Sequence, residues 1–191
     1  MSDPFKKFKN WYKFAKNNFV GDHTAFALGS SDIYNRPSVR MVLLKIILND
    51  GYVFFTNLNS KKGSHFRSNQ KLSMCFYWDN LKRQIRINGD GIVIPDKMAD
   101  DYFNTRPRGS QIGAWASEQS QVLASRAVLK KKIELFNKKF EHKKIKRPQY
   151  WTGIKIKPKT FEFWEEGKFR IHKRQFFTRR TDGWRSKILS P

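Results

Sequence analysis

Two short polar turns constrain this chain more than anything else in it. Asn49-Asp50-Gly51 and Thr181-Asp182-Gly183 each separate β-branched or alternating runs. Turns of this composition reverse the chain within a few residues and join antiparallel strands. Strand-like runs recur at residues 25–29, 38–48, 52–56, 72–78, 83–95, 153–157, 160–164, 170–178 and 184–189. Within 83–95, Ile85, Ile87 and Gly89 alternate with Gln84, Arg86 and Asn88, so one face is apolar and the other polar. Helical spacing is confined to four places. Residues 3–18 place Phe5, Phe8, Trp11, Tyr12 and Ala15 on one side, with Asp3 as cap and Pro4 at the first position. Residues 60–69, 96–104 (Asp96 at the cap) and 125–140 complete the set, while 106–120 reads as a polar, glycine-containing loop. Short strands of this kind, joined mostly by hairpins, predict an α+β protein built on an antiparallel barrel with flanking helices. Strands and helices do not alternate regularly and no G-x-G-x-x-G follows a strand, which argues against a doubly wound dinucleotide fold.

A chain of 191 residues fits one domain spanning 1–191. With 15% aromatic residues it is too rich in core formers for a disordered chain. No apolar run approaches the ~20 residues of a membrane helix. Residues 1–8 are charged and lack the apolar stretch of a secretory signal. Cys75 is the only cysteine, which fits a reducing compartment. The expectation is a cytoplasmic protein with no membrane partner. The net charge of +23 raises nucleic acid as a partner. Yet the cations are spread along the whole chain, and Lys, Asn, Ile and Phe are abundant together, as AT-rich codon usage would produce. A solvated lysine-rich surface accounts for the charge without a nucleic-acid ligand.

Several chemistries lack their residues. The four histidines (His23, His65, His142, His172) have no helical i, i+4 partner and there is no cysteine pair, so no metal site is expected. No G-x-S-x-G elbow or P-loop occurs. Cys75 lies among strand apolars and reads as an inert buried thiol. An enzyme of this composition needs a bound cofactor for any demanding chemistry.

Four constellations point to anions. Arg40 and Lys45 sit five apart on one expected strand, either as edge cations reaching solvent or as ligands at two ends of a pocket. Ser60-Lys61-Lys62-Gly63 places lysines at a helix start, where free backbone N–H groups favour phosphate. Tyr102, Arg106 and Ser110 recur at four-residue steps and offer a hydroxyl, a guanidinium fork and a second hydroxyl to one phosphate; a basic loop capped by Pro and Gly is the rival reading. Arg170, His172 and Arg174 alternate along an expected strand beside Phe161-Glu162-Phe163-Trp164, so all three would share one face. Like charges on one face call for a ligand to neutralise them.

In order along the chain stand R-M-V-L-L-K (40–45), F-T-N-x-x-S-x-K-G (55–63), R-Q-x-R-x-x-G (83–89), Y-F-x-x-R-P-R-G-S-Q-I-G-A-W-A-S-x-Q-S (102–120), E-F-W (162–164), R-x-H-x-R (170–174) and W-R-x-x-x-L-x-P (184–191). These segments resemble the pyridoxamine 5′-phosphate oxidase family over residues 24–191. The resemblance implies the split β-barrel of FMN-binding type, working as a homodimer, with residues 153–191 completing the dimeric active site and 1–20 forming an N-terminal helix. It implies oxidation of pyridoxamine and pyridoxine 5′-phosphates to pyridoxal 5′-phosphate with O2 as acceptor, giving H2O2 and, from the amine, ammonia. By position, Arg40, Met41, Val42, Leu43, Leu44, Lys45, Phe55, Thr56, Lys61, Lys62, Gln84, Gln119, Ser120, Trp164 and Arg174 would line FMN. Arg40 and Lys62 would take its phosphate. Lys45, Tyr102, Arg106 and Ser110 would hold the substrate phosphate, and Arg170 and His172, the catalytic pair, would cover the pyridine ring. Three positions depart from the family pattern: Lys61 where Arg is usual, Phe55 where Tyr is frequent, and Lys173 where an acidic residue is common. Two readings of another class remain at this level: a basic nucleic-acid binder, and a split-barrel flavin or haem protein of different chemistry.

Overall fold

Only Leu44 and Lys45 separate β2 (Pro37–Leu43) from β3 (Ile46–Leu48), yet these strands end up at opposite ends of the sheet. The computed structural model describes residues 3–191. Its other strands are β1 (Ala25–Ser31), β4 (Gly51–Asn57), β5 (Lys71–Trp78), β6 (Arg83–Val93), β7 (Trp151–Glu165), β8 (Lys173–Arg180) and β9 (Gly183–Leu189). All pairings are antiparallel, in the order β2-β1-β5-β6-β7-β4-β3, with β8 added to β7 and β9 to β8. At the junction the backbone N–H of Leu44 donates to Thr24 O (2.8 Å), and that of Lys45 donates to Val53 O (2.9 Å). Consecutive residues thus bond to the two ends of the sheet, which curls and closes there. The run 38–48, expected as one strand, is two, because a straight strand cannot pair with both β1 and β4.

The antiparallel barrel expected from the hairpins is present. Both turns form: Leu48 pairs with Gly51 and Arg180 with Gly183, leaving two-residue loops. Ile85 and Ile87 are buried and Arg86 and Asn88 exposed, as the alternation predicts. Phenylalanines fill the barrel: Phe26, Phe54, Phe76, Phe161, Phe163 and Phe177 are all essentially inaccessible. The helix α1 (Pro4–Asn18) closes one end. Asp3 caps it by accepting from the Phe5 N–H (2.9 Å), and its fully buried Phe8 sits 4.4 Å from the Tyr52 ring. No helix among the described residues is long and apolar enough to cross a membrane.

Three boundaries differ from expectation. The runs 153–157 and 160–164 form the single strand β7, which pairs with β4 through its first half and with β8 through its second. Pro158, which has no N–H to give, falls where the register with β6 shifts, leaving Lys159 as the extra residue of a bulge. Residues 108–116 form a helix, α4 (Arg108–Ala116), rather than a loop. Gly109 and Gly113 weaken its intrinsic propensity, but Ile112 packs with Phe103, Ile145 and Trp151, and tertiary packing decides the outcome. The helix α3 (Asp96–Thr105) is capped by Pro95 rather than Asp96; Asp96 and Asp100 both accept from Arg147 at 2.6 Å. The remaining helices, α2 (Lys61–Ser68) and α5 (Arg126–Lys139), start at Ser60 and Ser125, and in each the serine Oγ accepts a backbone N–H.

Beside the bulge, β6 and β7 approach so closely that a Cβ on Gly89 would lie 2.1 Å from Lys157 O. Gly89→Ala is therefore expected to cost about 1–3 kcal/mol of stability through forced backbone displacement. Urea unfolding checks this, and an unchanged midpoint would contradict the close approach.

Candidate active site

A cleft of about 530 Å³ opens where the barrel closes. β2 contributes Met41, Val42 and Leu43, the junction contributes Lys45, and β4 contributes Phe55, Thr56 and Asn57. Lys62 comes from the first turn of α2, Tyr102 from the last turn of α3, and Ser110 from the first turn of α4. Arg106, Gly113, Ala114, Ser117, Gln119 and Trp151 complete the wall.

At one end two cations lie together. The guanidinium of Arg40 donates through Nη1 to Leu28 O (3.1 Å) and Ser30 Oγ (2.7 Å), and through Nη2 to Ser38 Oγ (2.8 Å). The ammonium of Lys62 donates to Gln119 Oε1 (2.8 Å) and Ser60 Oγ (3.2 Å). Burial, reinforced by the charge of Arg40, pulls the Lys62 pKa down to about 8. Burial likewise lowers that of Arg40. Among the described residues no carboxylate pairs with Arg40, Lys62, Lys45 or Arg106, although fourteen lysine or arginine ion pairs form elsewhere. Unpaired cations held side by side in a partly dry setting make a site for an anion.

The second cationic point is Arg106. It precedes Pro107, which forces it into an extended conformation and breaks the chain between α3 and α4. Tyr102, Arg106 and Ser110 therefore converge from two helix ends and the hinge between them. Tyr102 stacks on Phe55 at 3.9 Å, and Phe55 on Trp151 at 5.0 Å. The Arg106 guanidinium lies 4.7 Å over the Trp151 ring, and its buried Nη1 has no hydrogen-bond partner among the described residues. Burial lowers the Arg106 pKa and raises that of Tyr102; each is partly offset by the other's charge. An orphaned donor on a buried guanidinium is costly unless a ligand accepts from it.

Of the residues singled out from sequence, the cleft gathers Met41, Val42, Leu43, Lys45, Phe55, Thr56, Lys62, Gln119, Tyr102, Arg106 and Ser110, with Arg40 behind Lys62. It omits others. Leu44 is buried in the barrel core and faces away. Lys61 and Ser120 line a separate hollow with Asp32 and Tyr34. Gln84, Trp164 and Arg174 form one row across β6, β7 and β8, with the His172 ring 4.7 Å from Trp164.

The expected strand face of Arg170, His172 and Arg174 does not exist. Residues 168–170 form a tight turn with Phe169 and Arg170 at positive φ, and β8 begins only at Lys173. Gly167 makes the turn possible, since a Cβ there would meet Ile171 O at 1.8 Å, and its N–H donates to His172 Nδ1 (3.3 Å). Arg174 is also neutralised within the chain: the buried Glu162 accepts from it at 2.9 Å and pairs with Arg86. Five lining residues were not singled out from sequence: Asn57, Gly113, Ala114, Ser117 and Trp151. Asn57 carried a usable signal, because its Oδ1 accepts from the Asn59 N–H (2.7 Å) in the turn that leads into α2. Trp151 carried none.

Residues 15–140 match the family model described as pyridoxamine 5′-phosphate oxidase, and residues 151–191 match that of the pyridoxine 5′-phosphate oxidase C-terminal dimerisation region. The chain belongs to the pyridoxamine 5′-phosphate oxidase family. It is 46% identical to the pyridoxine/pyridoxamine 5′-phosphate oxidase of Pelagibacter ubique, over 99% of this chain and 92% of that one. To the enzyme of the same name from Zymomonas mobilis it is 45% identical, over 99% and 98%. Among solved structures, PhzG from Burkholderia lata in complex with tetrahydrophenazine-1-carboxylic acid superposes with a TM-score of 0.94 at 26% identity, covering 100% of this chain and 94% of that one. A pyridoxamine 5′-phosphate oxidase-related, FMN-binding protein from Nostoc punctiforme shares the fold, with a TM-score of 0.77 at 15% identity and full coverage of both chains. In this pyridoxamine 5′-phosphate oxidase family member, Trp164, Arg170, His172 and Arg174 all fall in the segment matched by the dimerisation region.

The lowered Lys62 pKa sets a pH dependence. Free Lys62 loses its proton at about pH 8, and an anion beside it raises that pKa, so binding takes up a proton above pH 8. Affinity for a phosphate monoester is expected to fall by up to about tenfold per pH unit beyond pH 8. Titrations at pH 7–10 should show this limb in the native chain and lose it in Lys62→Gln.

Proposed function

We propose that a homodimer of this chain oxidises pyridoxamine 5′-phosphate and pyridoxine 5′-phosphate to pyridoxal 5′-phosphate, with FMN as the bound cofactor and O2 as the final acceptor. The observation that carries this reading is a pair of cationic points at one cleft, Lys62 backed by Arg40 and Arg106 with Tyr102 and Ser110, none with a carboxylate partner among the described residues. Each suits one phosphoester, and the rings of cofactor and substrate would lie in the cleft between them. The residues fit a flavin mononucleotide: Lys62 and Arg40 would hold its phosphate and the β2–β4 wall its ring. When bound, FMN supplies a two-electron acceptor for the hydride leaving C4′ of the substrate and passes both electrons to O2, giving H2O2.

The chain's own residues bind and orient. Lys45, Tyr102, Arg106 and Ser110 would clamp the substrate phosphate, so that C4′ lies at a fixed position in the cleft and reaction becomes effectively unimolecular. The Arg106 fork gains the acceptor that its Nη1 lacks. The stacked Phe55 and Trp151 keep water from the guanidinium and strengthen its grip. For the amine substrate, hydrolysis of the resulting imine releases ammonia; the alcohol substrate yields the aldehyde directly. Arg170 and His172 lie outside the cleft of their own chain, in the segment matched by the dimerisation region. A second copy would bring its pair over the pyridine ring, along with Trp164 and Gln84 beside the flavin. Residues 153–191 then complete the site across the interface.

The purified chain is expected to show a flavin absorbance band, or to acquire one with added FMN, and to bleach when pyridoxine 5′-phosphate is added without oxygen. Arg106→Ala should raise KM for that substrate by about 10- to 100-fold, the cost of a lost charge-assisted phosphate contact. Unaltered steady-state kinetics in Arg106→Ala would remove the substrate assignment, and absence of a flavin band after FMN addition would remove the cofactor.

A further inference from the structure

One buried titratable side chain has no part in the chemistry above. His65 lies on α2, three residues beyond Lys62, and is only 5% exposed. Its Nδ1 is 3.2 Å from Ser30 Oγ, and Ser30, itself buried, accepts from Arg40 Nη1 at 2.7 Å. The three side chains form a line from the helix, through β1, to the guanidinium on β2.

We propose that His65 is a positioning residue for anion binding, acting through Ser30 to hold the Arg40 guanidinium in its receiving pose; this rests on the assignment of Arg40 to the FMN phosphate. A guanidinium has five N–H donors. Three are used by Leu28 O, Ser30 Oγ and Ser38 Oγ, leaving Nε–H and one Nη2–H for a ligand. Ser30 can serve Arg40 only as an acceptor, so its own proton needs a destination. Nδ1 of a neutral His65, with its proton on Nε2, provides that acceptor. The onward bond polarises the Ser30 oxygen and strengthens its hold on Arg40. It also ties α2, which carries Lys62, to the strand that carries Arg40. A single buried ring thereby sets the spacing of the two cations.

The test compares two flavins that differ only in the phosphate, FMN and riboflavin, titrated against the full-length, flavin-stripped chain by fluorescence quenching. His65→Phe keeps a ring but removes the acceptor, and should weaken FMN by about tenfold while leaving riboflavin within about twofold. His65→Asn, whose Oδ1 stands close to the Nδ1 position, should recover most of the FMN affinity. Ser30→Ala breaks the line at its middle with little change in volume, and decides the matter if His65→Phe does not fold. Equal loss for both flavins, or no loss for either, would overturn the positioning role. A native chain that binds riboflavin and FMN equally would instead overturn the assignment of Arg40 and Lys62 to the phosphate, and the role of His65 with it.

Discussion

The handover of backbone hydrogen bonds at Leu44 and Lys45 is the constraint on which everything else rests. A sheet whose first and last strands are neighbours in sequence must close at the residues between them. There the N–H groups point to Thr24 on one side and Val53 on the other. Side chains near that point cannot alternate as in a continuous strand. Leu44 turns into the core, while Lys45 stays at the opening with Met41 to Leu43 on one flank and Phe55 to Asn57 on the other. The cleft is a by-product of closing the barrel, which is why its walls come from elements far apart in sequence.

Electrostatics then separates this opening from the rest of a very basic surface. Most of the acidic side chains in the described chain are engaged by lysines and arginines elsewhere, and even the buried Glu162 is taken by Arg86 and Arg174. Among the described residues most other lysines and arginines lack such partners too; Arg40, Lys62 and Arg106 differ from most of them in being partly buried. Their desolvation is unfavourable in the free protein, seen in the lowered pKa values of Lys62, Arg40 and Arg106. An anionic ligand removes that penalty on binding. The total charge of +23 says far less than the partial burial of these three cations.

Much of this was legible beforehand, for identifiable reasons. Hairpin turns, alternation in β6 and the capped helix at Asp3 are local signals, and they read correctly. The convergence of Tyr102, Arg106 and Ser110 followed from residue type, although the geometry comes from Pro107 splitting two helices and not from a regular four-residue step. What failed depended on distant partners. The stripe of Arg170, His172 and Arg174 required a strand that Gly167 and two left-handed residues replace with a turn. α4 looked like a loop because its stability comes from Phe103 and Trp151, which no local pattern announces. The division of 38–48 into two strands is a property of closure and has no signature within those eleven residues.

The bulge at Pro158 lets β7 remain unbroken from Trp151 to Glu165. Trp151 at one end supports Arg106 in the chain's own cleft, and Trp164 at the other lies in the segment matched by the dimerisation region. The thirteen residue-to-residue steps of extended chain from Trp151 to Trp164 span roughly 40 Å. In the proposed dimer this strand would reach from the cleft of its own chain toward that of its partner, with a tryptophan at each end. Placement of Trp151 relative to Trp164 is therefore set by one strand hydrogen-bonded along its length, with no loop between them.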